Sequence, residues 1–446
     1  MPVSVAVTSD EREALQRRVL RVLTASQIVG SGAVTTAVTI GAFVVQDLLG
    51  EQTAWAGIAT ASSTACGAVF SQALARLMAR RGRRPGLLLG YLIAAVGGII
   101  ATIGVEHRSL VVFLCGVGLF GGGQASNLLA RYAATDLAPP AHHGRAMSRV
   151  IFASAFGAIL GPLLVRPAEA AGTSWFGLAK YSGPWLFGSA LFVIAAVGLA
   201  VLLRPDPLVV AGALADHPVR RRSMRLRASM GVVRASVDAR LGVTAMAISQ
   251  ATMVGVMTMT PVHMKLHGHE SASLYVISVH IAGMYAFSPL VGRFVDRVGQ
   301  RRGISIGAVL LVGATVLAAM SGDVEQLLFP ALWLLGLAWS FGLISGSTML
   351  QRTVPPGTVV SVQGTADLVM IASGALAGLA SGFIRRAAGY HVLATAAAVA
   401  AVFLLHQSLQ SRPAVPIAET PVAHEVSLAP TAAVTPALVG AGEGPE

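Results

Sequence analysis

Methionine and histidine are spread unevenly along this chain. Of 14 Met, six (Met246, Met253, Met257, Met259, Met264 and Met284) fall within residues 241–285, as do four of 11 His (His263, His267, His269 and His280). Met253 and Met257 stand four residues apart, on one face of a helix, and His280 and Met284 repeat that spacing. Three thioethers and an imidazole make a soft, uncharged donor set that selects Cu(I) over hard cations. His263, His267 and His269 follow the first pair and could capture an ion before entry. A plainer chemistry fits the same residues: Met fills irregular gaps between helices, and a single His within a span hydrogen-bonds a neighbouring helix. Cys66 and Cys115, the only thiols, read as small packing residues.

Other polar residues stand inside apolar surroundings, where they are functional candidates by default. Arg131 lies near one end of an apolar run, and Gln124 and Asn127 precede it as candidate cavity residues. Gln363 and Asp367 open a later run. Asp367 could carry a coupled proton, or could cap a helix N-terminus; the cap is the preferred reading.

The elements that must hold these residues are membrane spans. The chain has 446 residues, 54% hydrophobic and only 12% charged, against about 25% charged in ordinary soluble domains. Its mean hydropathy is +0.70. That composition excludes a soluble domain and a disordered chain, and two cysteines exclude a disulfide framework. Twelve apolar runs approach the roughly 20 residues that cross a bilayer as a helix: 21–45, 53–78, 86–105, 109–133, 147–165, 184–203, 241–264, 271–291, 303–321, 327–350, 361–383 and 388–407. The expected fold is an all-α integral membrane protein of twelve transmembrane helices in two six-helix bundles. The first run is too long for a signal-peptide core and reads as an uncleaved span.

Loop charges orient the bundle. Arg12, Arg17, Arg18 and Arg21 precede the first span, Arg80, Arg81, Arg83 and Arg84 follow the second, and Arg297, Arg301 and Arg302 follow the eighth. The connection 204–240 holds seven more arginines, from Arg220 to Arg240. Asp47, Glu106, Glu270 and Asp323 sit in the opposite loops. The positive-inside bias therefore sets both termini and the 204–240 linker in the cytoplasm, in a cytoplasmic (inner) membrane. The net charge of +12 belongs to these loops and implies no nucleic-acid partner. Arg385 and Arg386 fall on the opposite side and have no place in this scheme. The expected domains are 1–203, a first six-helix bundle; 204–240, the linker, with a surface amphipathic helix; 241–407, a second bundle; and 408–446, a disordered cytoplasmic tail carrying six of the 21 prolines.

The chain repeats itself. Gly82, within Ala79-Arg80-Arg81-Gly82-Arg83-Arg84, lies 217 residues before Gly299, and Pro139-Pro140 lies 216 before Pro355-Pro356. A duplicated six-helix half is the plan of secondary transporters with a midplane site. Gly292-Arg-Phe-Val-Asp296-Arg297-Val-Gly299-Gln-Arg301-Arg302 resembles the loop signature of the major facilitator superfamily. In the first half Ala79 stands where the signature has its acid. The resemblance, over roughly residues 15–407, implies alternating access around a central site. It also implies a gating clasp in which the acid holds Arg residues of the next segment, lopsided here because only Asp296 is present.

Two branches of that superfamily are resembled more closely. Met253-x-x-x-Met257, Gly268-His269, His280-x-x-x-Met284 and Ser288-Pro289 are similar in order and spacing to the copper-importing branch that serves cytochrome oxidase assembly. The resemblance implies Met253, Met257, His280 and Met284 as copper ligands and inward movement of the ion. Gly157-Ala-Ile-Leu-Gly161-Pro162 resembles the core of a signature of proton-coupled drug exporters, although close helix packing with a kink is its simpler meaning. The runner-up function is thus proton-coupled efflux of lipophilic compounds. No phosphate-cradling Gly-Lys-Ser/Thr loop and no catalytic constellation is present, so neither ATP-driven transport nor an enzyme is expected. No resident cofactor is expected, copper being cargo. The expected partners are a small solute or metal ion and the bilayer, and the expected working unit is a monomer.

Overall fold

Backbone amides have no partner in lipid other than the chain itself, so an apolar run must close its hydrogen bonds as a helix. The computed structural model describes residues 9–49, 55, 58–213, 224–266, 270–322 and 324–410, and these contain helices and no strand. In chain order they form α1 (Ser9–Leu49), α2 (Ile58–Arg81), α3 (Arg83–Glu106), α4 (Leu110–Ala133), α5 (His143–Phe176), α6 (Ser182–Leu202), α7 (Pro207–Ala213), α8 (Leu226–Ala235), α9 (Val237–Leu266), α10 (Glu270–Tyr285), α11 (Ser288–Val298), α12 (Gln300–Met320), α13 (Leu328–Thr353), α14 (Val359–Ala388) and α15 (Tyr390–Gln410).

Taking α10 and α11 as one broken span, and leaving out the short α7 and α8 of the linker, twelve spans result. Among the described residues nine segments are long and apolar enough to cross a membrane, and the two arms of α5, bent by 51° around Pro162, pass the same test together. α1 and α2 complete the set. Ser, Thr, Gly and Ala dilute the apolar character of α2, as expected of a helix that faces other helices rather than lipid.

Most buried apolar side chains gather into one cluster drawn almost wholly from α1–α6 and a second drawn almost wholly from α8–α15, with a small third cluster where α9, α12, α13 and α15 meet. Contact between these halves runs through α2 against α14 and through α5 against α10 and α11. Large apolar residues such as Val96, Val197, Leu376 and Phe383 remain exposed on the outer faces, the pattern of a lipid-facing surface.

Two sequence expectations need correction. The helix that carries the first span extends beyond 21–45: α1 begins at Ser9, because the charge-rich residues 9–20 dock rather than fray. Arg12 Nε donates to the Leu137 carbonyl at 3.1 Å, and the Gln16 amide donates to that of Ala134 at 2.8 Å. The eighth span is not a single helix over 271–291. Pro289 lies in the first turn of α11, where its missing N–H costs nothing, and a break at 286–287 separates α11 from α10. His267, His269 and the tail beyond 410 lie outside the described residues.

Candidate functional site

Arg80, Arg83, Arg297 and Arg301 share the end of the bundle where α2 and α11 finish and α14 begins, here called the basic end. In a chain with only 20 acids, several meet arginine at that end. Arg131, in the last turn of α4, forms an ion pair with Asp367 of α14; the two side chains are 2% and 0% exposed. The Tyr132 hydroxyl joins the same carboxylate at 3.2 Å, and Arg131 Nε donates to Ser347 Oγ of α13 at 3.3 Å. Asp367 lies eight residues past the first residue of α14, so it is not an N-cap. The preferred cap reading is overturned, and its carboxylate instead ties two halves together.

A second buried link lies beside the first. Arg83, fully buried at the start of α3, grips Asp136 through Nε and Nη2 at 2.8 and 3.0 Å, and Nη2 also donates to Gln363 Oε1 of α14 at 3.0 Å. A planar guanidinium fork suits this two-oxygen grip. Gln363 in turn bonds Gln351 of α13.

The third link contains Asp296. Its carboxylate accepts from the backbone N–H of Gly144 at 2.8 Å and of Arg145 at 2.9 Å, the first turn of α5, and the Arg145 side chain lies 3.6 Å away. A carboxylate at a helix N-terminus satisfies orphan amides and meets the positive end of the helix dipole. The expected clasp, with the acid holding Arg residues of its own following segment, is therefore corrected. Asp296 holds the opposite half, Arg80, Arg297 and Arg302 are exposed, and Arg301 pairs with Asp238 of α9. Gly292 permits this approach, since a Cβ there would overlap the Gly144 carbonyl. In the first half, where Ala79 replaces the acid, Asp206 accepts from the Arg84 N–H at 2.7 Å and crowds Gly82, whose φ of 97° only glycine adopts easily.

Further along the central helices a polar–aromatic group closes the second half. Trp339 Nε1 of α13 donates to Gln250 Oε1 of α9 at 2.6 Å, and the Tyr285 ring of α10 meets Trp339 edge-on, centroids 5.8 Å apart. Gly374 of α14 leaves room for the Gln250 stem. Of the expected metal ligands, His280 is fully buried, Met253 and Met284 are buried in the second cluster, and Met257 packs against it half-buried. His280 Nδ1 bonds the Leu332 carbonyl at 2.8 Å, and its Nε2 is buried without a hydrogen-bond partner. Among the described residues no three His, Cys, Asp or Glu gather to hold a metal ion. His263 lies at the far end of α9, stacked on Tyr390.

The first-half candidates pack helices. Gly157 and Gly161 press α5 onto α1, with Thr35 and Thr36 hydroxyls donating to their carbonyls at 2.9 Å each, and α5 bends at Pro162. Gln124 abuts Gly67 of α2, and Asn127 accepts from Tyr91 at 2.6 Å, so both serve contacts within the first half. Sequence reasoning missed Tyr132, Asp136, Asp206, Asp238 and Arg145. The scarcity of acids was the available signal: a carboxylate at the arginine-rich end opposes the charge bias there and needs a partner.

The family model described as Major Facilitator Superfamily matches residues 23–284. An uncharacterized MFS-type transporter of Bacillus subtilis (strain 168), YddS, is 35% identical over 401 residues, covering 89% of this chain and 91% of its own. The riboflavin transporter RfnT of Brucella anthropi is 29% identical over 384 residues, covering 84% and 91%. Among solved structures, the human organic anion transporter MFSD10 (TETRAN) superposes with a TM-score of 0.70 at 17% identity, covering 88% of this chain and 99% of that one. Duplicated halves, the clasp of Asp296 and these likenesses agree: the chain belongs to the major facilitator superfamily, whose members are multi-pass membrane transporters of small solutes rather than enzymes.

Proposed function

We propose that this chain moves a small organic solute carrying an aromatic ring, by rocking its two halves about a midplane site. The basic end faces the cytoplasm, by the positive-inside bias, and the conformation described is closed on that side. The observation that carries this reading is the Gln250–Trp339–Tyr285 group, where side chains from three central helices of one half bring an amide and two aromatic rings together. Rings stack on rings, and the amide orients a heteroatom. The relative named for riboflavin supports the same substrate class.

In this reading these polar links form the cytoplasmic gate. Arg131–Asp367, Arg83–Gln363 and Asp296–α5 bridge the halves at one end, so solute leaves toward the cytoplasm only when they part. Water entering the opened end then repays the lost pairing, which makes two discrete states accessible. A proton on Asp367 would cancel its attraction for Arg131, coupling the gate to a pH gradient.

The soft-metal reading has one specific observation in its favour. The His280 tautomer with Nδ1–H on the Leu332 carbonyl leaves Nε2 as a buried lone pair, as metal-binding imidazoles are held. Import of Cu(I) through Met253, Met257, His280 and Met284 is this second reading.

Transport by purified protein in liposomes, under an imposed pH gradient, tests both. We expect riboflavin or a related heteroaromatic compound to move and Trp339→Ala to slow it about ten-fold. Cu(I) movement that falls with His280→Ala, together with no movement of aromatic solutes, would replace the first reading by the second.

A further inference from the structure

We propose that a cavity of the second half, at the end of the bundle opposite the basic end and here called the acidic end, is a binding site for an oxyanion, a carboxylate or a phosphate. The cavity measures about 370 Å³ and is lined by the ends of α9, α12 and α14 and the start of α15. Arg385, His263, His391 and Tyr390 contribute to its wall, and among the described residues no carboxylate does.

Three observations point to an anion. First, Arg385 is half-buried, and its Nε is buried without a hydrogen-bond partner. A guanidinium presents a planar fork of donors that oxyanions fill two at a time. Second, the turn at Gly389 (φ 89°) starts α15 directly after α14, so Tyr390 and His391, whose amides open a 21-residue helix, line the cavity together with Arg385. Those amides have no partners within their own helix, and the helix dipole adds positive potential. Third, one imidazole of the wall is held in place: His263 stacks on Tyr390 with centroids 4.4 Å apart and bonds the Gly322 carbonyl at 3.2 Å, while Tyr390 is fixed by Thr260 at 2.8 Å.

The site also accounts for a charge anomaly. Arg385 and its neighbour Arg386 oppose the loop bias that orients every other arginine-rich segment, and a cation kept there against that bias is explained by a ligand. Every lining residue belongs to one half. Occupancy therefore does not require the halves to part or meet, and none of the lining residues belongs to the Gln250–Trp339–Tyr285 group.

The anion has two sources, a free anion in the outer solution or the phosphate of a lipid headgroup, and two measurements on the full chain distinguish them. Thermal unfolding in detergent is followed as inorganic phosphate is titrated, with sodium chloride at matched ionic strength as reference. Native mass spectrometry then reads retained phosphatidylglycerol. For a free anion, phosphate raises the unfolding temperature saturably, and Arg385→Gln weakens its affinity at least about ten-fold. For a lipid, phosphate has no such effect, and the wild-type chain retains phosphatidylglycerol that Arg385→Gln loses. His391→Gln, at an exposed position where folding is not at stake, weakens whichever response is found, and Arg385→Lys preserves part of it. Responses to both probes that are the same in wild type, Arg385→Gln and His391→Gln would overturn the proposal.

Discussion

Arg131 and Asp367 depend on each other because both are out of water. Removing one partner of a buried pair strands the other charge, at a cost of about 3–5 kcal/mol, whereas replacing both with apolar residues is far cheaper. Arg131→Met and Asp367→Leu should therefore each lower the unfolding temperature sharply, and the double variant should recover most of the loss. A double-mutant cycle from thermal unfolding in detergent measures this, and strictly additive effects would exclude the pair. At this scale the sequence was legible in residue type but not in partnership. Asp367 stood out as an acid in an apolar run, yet its partner lies 236 residues away on α4, and no local spacing encodes that contact. The Met and His spacings named which residues share a helix face. Which neighbour that face meets is decided by packing: His280 bonds α13.

α5 combines at element scale what a single helix must do here. Its first turn receives Asp296, its middle lies against α1, and it bends where Pro162 removes a hydrogen bond. The α1 contact needs glycine: a Cβ at position 157 would stand 2.6 Å from Gly32 N and 2.7 Å from the Ile28 carbonyl, and backbone cannot step aside. Gly157→Val should reduce the yield of folded protein and lower its unfolding temperature. Gly198 of α6 has open space where a Cβ would go. Gly198→Ala should be neutral or stabilise by up to about 1 kcal/mol, since alanine is the better helix former. Equal losses in the two variants, read by size-exclusion yield and thermal unfolding, would show that α5–α1 packing is not specific to these glycines. The spans themselves were legible because lipid enforces long apolar runs. Their ends were not: α1 extends to Ser9 through contacts with residues 134 and 137, which are remote in sequence.

For the whole molecule, the two halves meet through unequal devices at the same end. The second half reaches across with a carboxylate on a helix N-terminus, Asp296 on α5. The first half, with Ala79 in the matching place, reaches across with a cation, Arg83 on Gln363. The duplicated signature made the shared plan readable, and the lost acid made the inequality readable, but the substitute acids have no acidic counterpart to announce them: at the 216-residue offset Asp136 corresponds to Arg352, and Asp206 lies in the linker. If these links form the cytoplasmic gate, a covalent link at the same place should arrest rocking without disturbing the fold. Ser288 Oγ of α11 donates to the Ser148 carbonyl of α5 at 3.2 Å, which puts the two helices in reach of a cross-link. In a background with Cys66 and Cys115 replaced by alanine, Ser148→Cys with Ser288→Cys should be joined by oxidation or a short thiol cross-linker. Hydrogen exchange at residues 143–151 and 359–367 should then slow strongly and return on reduction, while exchange at the acidic end changes little, because opening there needs no separation of α5 from α11. Unchanged exchange at the basic end after complete cross-linking would mean that the halves never part there, and the alternating-access reading of these ion pairs would fall with it.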